Sequence, residues 1–364
     1  MNKHGLIFIA ILVLILSTFV FACAQPAPAT PSKPATPTTT PPAAKTIELN
    51  YNKMGPPIQP ASQKPAEYLA SEVNKRTEGR VKINIFPNSA LAAPGETYEA
   101  LLKGVSDIGE TNASYNPGRF PATEISEMPL GYPNSWVGSH ALNDWYANFK
   151  PKEWQESIPI YFFTTTPYTI GTVNKQVQKL DDLKGMIIRS SGVASDKYVL
   201  ALGATPRALP VTETYEALSK SMMDGLLMPM EAYPSFKFDE VVKFCTDMSF
   251  ASYGNCSYVA MNKNSFNKLS EKDQKTILDI GQELIDYRTK MFMEETDKAI
   301  KKFMGLPGRQ WFNFPPGEQA KVLAAAQTVV DGWVAEKTAK GLPAADYVKY
   351  MKERLTYWAG KQSK

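Results

Sequence analysis

Arg189 is the residue of this chain best placed to do chemistry. It closes the apolar run Met186-Ile187-Ile188, which reads as a buried strand. Ligands of open α/β sheets gather at the carboxyl ends of strands. A guanidinium is permanently charged, and its fork offers two parallel hydrogen bonds to a carboxylate. The residues alone leave open whether this charge meets a ligand, a neighbouring Asp or Glu, or solvent. A second group of polar residues follows another strand pattern, in Thr111-Asn112-Ala113-Ser114-Tyr115-Asn116-Pro117-Gly118-Arg119-Phe120-Pro121. Loops after parallel strands carry function. Asn112 and Tyr115 are therefore ligand-contact candidates, with loop packing as the other reading of Tyr115. Tyr168 is placed to touch a ligand or to line a hinge, and Asn52, after the first strand, is a further polar candidate. Trp136, Trp145 and Trp154 read as packing residues.

What is missing narrows the chemistry. The 364 residues carry a net charge of +4 and no dense Lys/Arg block, which excludes nucleic acid as a partner. There are two histidines, His4 and His140, too few for a His-based metal site. No G-x-S-x-G, H-E-x-x-H, P-loop or Rossmann fingerprint occurs, so neither a cofactor nor a metal is expected and an enzyme is the weaker reading. The adjacent pair Glu294 and Glu295 points apart on a helix and reads as a solvated face.

The start of the chain is of another kind. Lys3 is followed by an almost wholly apolar run, Leu6 to Ala22, and Val20-Phe21-Ala22-Cys23 looks like a lipobox. Residues 1–22 are thus expected to be a lipoprotein signal peptide, with Cys23 carrying lipid; the other reading is an uncleaved N-terminal anchor. Ala24 to Lys45 holds seven prolines and cannot bury a core, so residues 23–46 read as a Pro/Thr/Ala-rich tether of at most roughly 70 Å. Either reading puts the remainder outside the cytoplasm. Cys245 and Cys256, with ten residues between them and no C-x-x-C, are a candidate disulfide in an oxidising compartment or two buried thiols.

These residues are positioned by an α/β pattern. Ile47 to Tyr51 alternates as a strand does, Ala66, Leu69, Ala70 and Val73 share a helical face, and Val81, Ile83 and Ile85 alternate again. A helix from Tyr98 to Leu102 and a strand at Asp107-Ile108-Gly109 complete a pattern that predicts a parallel sheet. Strands are expected at Ile160–Thr164, Gly185–Arg189, Met223–Met228 and Tyr258–Asn262, and helices at Asp196–Leu202, ending at Gly203, and at Thr214–Lys220. Ser270 and Asp273 form a capping pattern, after which Ile277, Ile280, Leu284, Tyr287 and Met291 mark a helix continuing to about Phe303. At ~1.5 Å per residue it spans roughly 50 Å, enough to brace two bodies. Two more helices fill Pro316 to Trp358.

Several blocks in this order resemble one family. They are Thr77-Glu78-Gly79-Arg80-Val81, Gly104-Val105-Ser106-Asp107-Ile108-Gly109, Leu180-Asp181-Asp182-Leu183-Lys184-Gly185 with Arg189, Leu202-Gly203-Ala204-Thr205-Pro206, Tyr215-Glu216-Ala217-Leu218, Asp224-Gly225 and Met261-Asn262-Lys263. Together they resemble the solute-binding proteins of tripartite ATP-independent periplasmic (TRAP) transporters over about residues 47 to 310.

The resemblance implies an α/β, two-lobed, periplasmic-binding-protein-like clamp with a long helix spanning both lobes. On that reading residues 47–166 and 254–295 form lobe I, and 167–253 and 296–364 form lobe II with the C-terminal helices. It implies capture of a small organic acid between the lobes, an Arg at position 189 pairing with the carboxylate, and delivery to TRAP membrane permease subunits. The chain departs from the family's usual polar residues at Leu226-Leu227-Met228, which favours a ligand with an apolar or aromatic body, unless these side chains enter the core. In Pro229 to Lys237, similar to one branch of the family, Met230 stands where Trp is common and would widen the pocket beside Glu231. The place implied is the periplasm or the outer face of the cytoplasmic membrane, lipid-anchored at Cys23. A ligand-presenting lipoprotein for a sensory receptor is the first alternative, an extracytoplasmic enzyme the second.

Overall fold

The computed structural model describes residues 46–165 and 167–362. The expected signal peptide, Cys23 and the tether lie outside the described residues, apart from residue 46.

Among the described residues eleven strands follow in the order β1 (Ile47–Asn52), β2 (Val81–Phe86), β3 (Ile108–Asn112), β4 (Ser157–Phe163), β5 (Tyr168–Thr172), β6 (Ile187–Ser190), β7 (Thr205–Ala208), β8 (Gly225–Pro229), β9 (Phe244–Asp247), β10 (Ser257–Asn262) and β11 (Gln310–Asn313). They build two sheets, a five-stranded one ordered β2-β1-β3-β10-β4 and a six-stranded one ordered β11-β9-β5-β8-β6-β7. The helices of the first half are α1 (Pro60–Arg76), α2 (Thr97–Leu102), α3 (Ser135–Phe149), α4 (Val193–Ala201) and α5 (Val211–Ser219). The short α6 (Ala232–Ser235), α7 (Phe238–Val241) and α8 (Lys263–Asn267) precede the long α9 (Glu271–Gly305), α10 (Pro316–Ala339) and α11 (Ala344–Gln362).

Both sheets are mixed, a correction to the parallel sheet that the strand–helix alternation suggested. β1 runs parallel to β2 and β3, and β6 parallel to β7 and β8, as expected. But β10 is antiparallel to β3 and β4, and β5 is antiparallel to β8 and β9. The reason is topological. β5 follows β4 and β10 follows β9, each from the other sheet, and not over a crossover helix that would return the chain in the same direction.

The third crossing is α9. Ser270 caps it, its hydroxyl accepting from the Asp273 N–H. Its first two thirds bury Ile277, Ile280, Leu284, Ile285 and Phe292 in the core of the first sheet. Its last turns put Ala299 and Phe303 into a separate core with Leu226, Met230 and Tyr233 of the second. One helix is thus shared by both lobes, as its length requires. Gly203, with φ +93, ends α4 in the left-handed conformation that a side chain would disfavour.

Two groupings differ from expectation. α11 packs against α3 and so belongs with the first lobe, not the second. Cys245 and Cys256 are free, buried thiols in different cores, one facing Tyr233 and the other among Tyr132 and Tyr258, so the candidate disulfide is absent. β9 and β10 lie in different sheets, and their side chains are committed to different interiors.

Candidate functional site

A cavity with about 590 Å³ of empty space, its mouth included, lies where the two sheets face each other. Residues of β3, β4 and β10 and the start of α1 line one side; β5, β6 and β8 and the starts of α5 and α6 line the other, with α9 behind.

Arg189 comes from β6, where pairing to Leu226 on one side and Arg207 on the other fixes the backbone. It is only 1% exposed yet lines the cavity. Its Nε and Nη2 donate to the Leu209 carbonyl at 3.0 and 2.6 Å, and Nη2 also reaches the Tyr115 hydroxyl at 3.4 Å. Nη1 has no partner, and no carboxylate stands within ion-pair distance, among the described residues. The backbone carbonyl thus fixes the guanidinium without neutralising it.

Tyr115, on the opposite lobe, has its hydroxyl between Arg189 and the N-terminus of α5, accepting from the Val211 N–H at 3.1 Å. It ties the two lobes together beside the charge. Asn112 ends β3; its carbonyl oxygen accepts from Ser257 at 2.5 Å, and its amide nitrogen donates to nothing among the described residues. Tyr168 lines the cavity, its hydroxyl accepting from Asn255 at 3.0 Å and its ring stacked on Tyr253 at 4.3 Å. Burial pushes its phenol well above the usual range, so it stays neutral. Met228 and Glu231 also line the space, and Glu231 accepts from the Thr296 hydroxyl at 3.2 Å.

Two candidates are elsewhere. Asn52 is wholly buried, donating to Ala92 and Thr97 and accepting from the Leu91 N–H, so it pins the 91–97 segment. Met230 sits in the core beneath α9, its sulfur accepting from Thr169. Leu226 and Leu227 likewise point into cores, which leaves Met228 as the cavity-facing member of that run. The apolar lining comes otherwise from Met54, Phe163, Val211, Phe236 and Phe292.

Arg288 and Glu110 were not foreseen. Arg288, in the middle of α9, donates Nη2 to Glu110 at 2.7 Å and Nη1 to Glu110 at 3.2 Å and to Tyr161 at 2.8 Å. Its guanidinium lies 3.7 Å over the Phe163 ring. Tyr51 donates to the same carboxylate. Burial works to raise the pKa of Glu110, but the charge and hydrogen bonds of Arg288 outweigh it and hold the carboxyl below its ordinary value. Since the members lie on β1, β3, β4 and α9, no local sequence signal joins them.

A smaller recess beside Ala113–Phe120 and Val193 holds Glu127. Burial, and then the negative charges of Glu124 and Asp196, push this carboxyl up to about 8.

Residues 53–337 match the family described as bacterial extracellular solute-binding protein, family 7. This chain belongs to that family. Solved TRAP solute-binding proteins share the fold of this family 7 protein. One is a marine metagenome protein specific for aromatic acid ligands, in complex with metahydroxyphenylacetate: 27% identity, 85% of this chain and 99% of that one, TM-score 0.81. Another, from Desulfovibrio salexigens, is 30% identical over 86% of this chain and 97% of its own, with a TM-score of 0.75. A curated solute-binding protein of Albidiferax ferrireducens is 26% identical over 59% of this chain, and the match spans 64% of that protein's length. The family and these relatives are solute-binding proteins and not enzymes. Among the described residues no helix is long and apolar enough to cross a membrane.

Proposed function

We propose that this TRAP-type solute-binding protein captures a small monocarboxylic acid with an apolar or aromatic body, and that Arg189 pairs with the carboxylate. The observation that carries the reading is a buried guanidinium with no carboxylate beside it among the described residues. Burying an ion costs several kcal/mol unless a counter-charge repays it. A ligand carboxylate supplies that counter-charge, and the free Nη1 supplies a hydrogen bond to hold it. The aromatic and methionine lining accounts for the rest of the ligand. The aromatic-acid specificity of the marine metagenome relative supports the same class.

The bound acid is then handed to TRAP membrane permease subunits, while lipid on Cys23 keeps the protein at the outer face of the membrane. Tyr115 couples the two events, because the charge that receives the ligand is bonded to the residue that bridges the lobes.

A melting-temperature screen tests the class. A ligand bound only by the folded state adds ~2.7 kcal/mol at a hundredfold excess over its dissociation constant. Aromatic and aliphatic monocarboxylates should raise the transition, and sugars and amines should not. A panel in which only uncharged solutes or cations stabilise the protein would refute the assignment.

A further inference from the structure

Behind the first-sheet wall of the cavity sits a cation that carboxylate capture does not use. Lys53, the residue after β1, is fully buried. Its Nζ donates to the Gly55 carbonyl at 2.6 Å and to Ser62 Oγ at 2.9 Å. Burial pulls it down to about 8, so the ammonium is the form present at neutral pH. An ammonium only donates. Ser62 Oγ is therefore the acceptor in that bond, and its own proton is left to point elsewhere. No protein acceptor takes that proton among the described residues. Ser62 is 4% exposed and lines the cavity. Gln59, 7% exposed on the same wall, makes no side-chain hydrogen bond among the described residues.

Gly55 brings the two side chains together. A Cβ there would fall 2.2 Å from Ser62 Oγ and 3.2 Å from Gln59 Oε1. Only a residue without a side chain lets both crowd against this backbone, with the ammonium behind them.

We propose that Ser62 and Gln59, positioned by Lys53, form a second subsite that takes a hydroxyl group carried by the ligand away from its carboxylate. The preferred ligands are then hydroxy acids. The Ser62 hydroxyl donates to the ligand oxygen, and the ligand proton goes to Gln59 Oε1. With Gln59 Oε1 on the Ser62 side, a hydroxyl uses both groups, whereas a second carboxylate, which only accepts, would need the amide turned over. The cavity wall carries Arg189 and Arg288, the second already paired with Glu110, so one guanidinium remains for one carboxylate. This subsite rests on the Arg189 reading, since it presumes an acid already oriented by that residue.

The test is titration calorimetry of the full chain with matched acids: phenylacetate against 3-hydroxyphenylacetate, and hexanoate against 6-hydroxyhexanoate, with adipate as the dicarboxylate. At least one hydroxy acid should bind tenfold or more tightly than its parent, and adipate more weakly than 6-hydroxyhexanoate. Ser62→Ala should bring the affinity ratio within a pair to less than threefold, and Gln59→Leu should do the same. Both variants are first checked for an unchanged melting transition; if one is lost, the other decides. Arg189→Lys should weaken both members of a pair by the same factor. Equal affinities within both pairs, or a ratio that survives in the folded variants, overturns the hydroxyl subsite and leaves carboxylate capture standing. Absence of binding by every acid, or indifference to Arg189→Lys, overturns carboxylate capture and the subsite with it.

Discussion

Two arginines, each 1% exposed, line the same cavity from opposite lobes, and they are satisfied in opposite ways. Arg288 has Glu110 in a two-pronged pair, the Tyr161 hydroxyl, and the face of Phe163. Arg189 has a backbone carbonyl and the edge of a shared tyrosine hydroxyl. The first is complete within the chain, a structural pin joining α9 to the first sheet. The second is fixed in place but left charged. Rigidity alone would have been served by a second pair like the first; on the proposed function, the ligand's carboxylate takes at Arg189 the place that Glu110 takes at Arg288.

The comparison can be broken first at the complete pair. Glu110→Gln leaves Arg288 buried without its counter-charge, and should cost about 3–5 kcal/mol of stability by urea unfolding. A cost below ~1 kcal/mol would mean that Arg288 no more needs its partner than Arg189 does, and the contrast would fail.

A pH titration of stability tests the next buried charge. The folded-state pKa of Glu127, about 8, lies above its ordinary 4.5. Its contribution is therefore fully present below about 4.5 and is lost as pH rises through about 8. Between these values the wild type should lose roughly 4–5 kcal/mol from this group. Glu127→Gln, which cannot ionise, should flatten that part of the profile. A parallel decline in both proteins would show that Glu127 is not the group responsible.

The smallest expected effect is at the bridge. Tyr115→Phe removes the hydroxyl shared by Arg189 and the Val211 N–H. It should weaken acid binding by about 0.5–1.5 kcal/mol, visible in calorimetry, with little change in the ligand-free melting temperature. Unaltered affinity would reduce Tyr115 to a packing residue.

Much of this was readable in the chain. The Ser270 cap and the spacing of Ile277, Ile280 and Leu284 are local signals, and they gave α9 nearly to its ends. Arg189 was legible because a charge closing an apolar strand is rare, and the ordered family blocks placed it. What escaped depends on distant partners. Arg288 is one charged position among many on α9, and its partner lies 178 residues away. Lys53 and Ser62 meet only because Gly55 permits it. β9 and β11 are four residues each, and neither carries an apolar run such as the Met186-Ile187-Ile188 that announces β6. Asn52 and Met230 were misplaced for a related reason. Proximity to a strand end says nothing of which way the side chain turns, and both turn inward.

The direct measurement is calorimetric titration of wild type and Arg189→Ala with the acid that stabilises the wild type best. Loss of about 2–5 kcal/mol of binding free energy is expected, together with a ligand-free stability that falls less than in Glu110→Gln. Undiminished affinity in the folded variant would contradict the account, because the uncompensated guanidinium would then have no part in holding the acid.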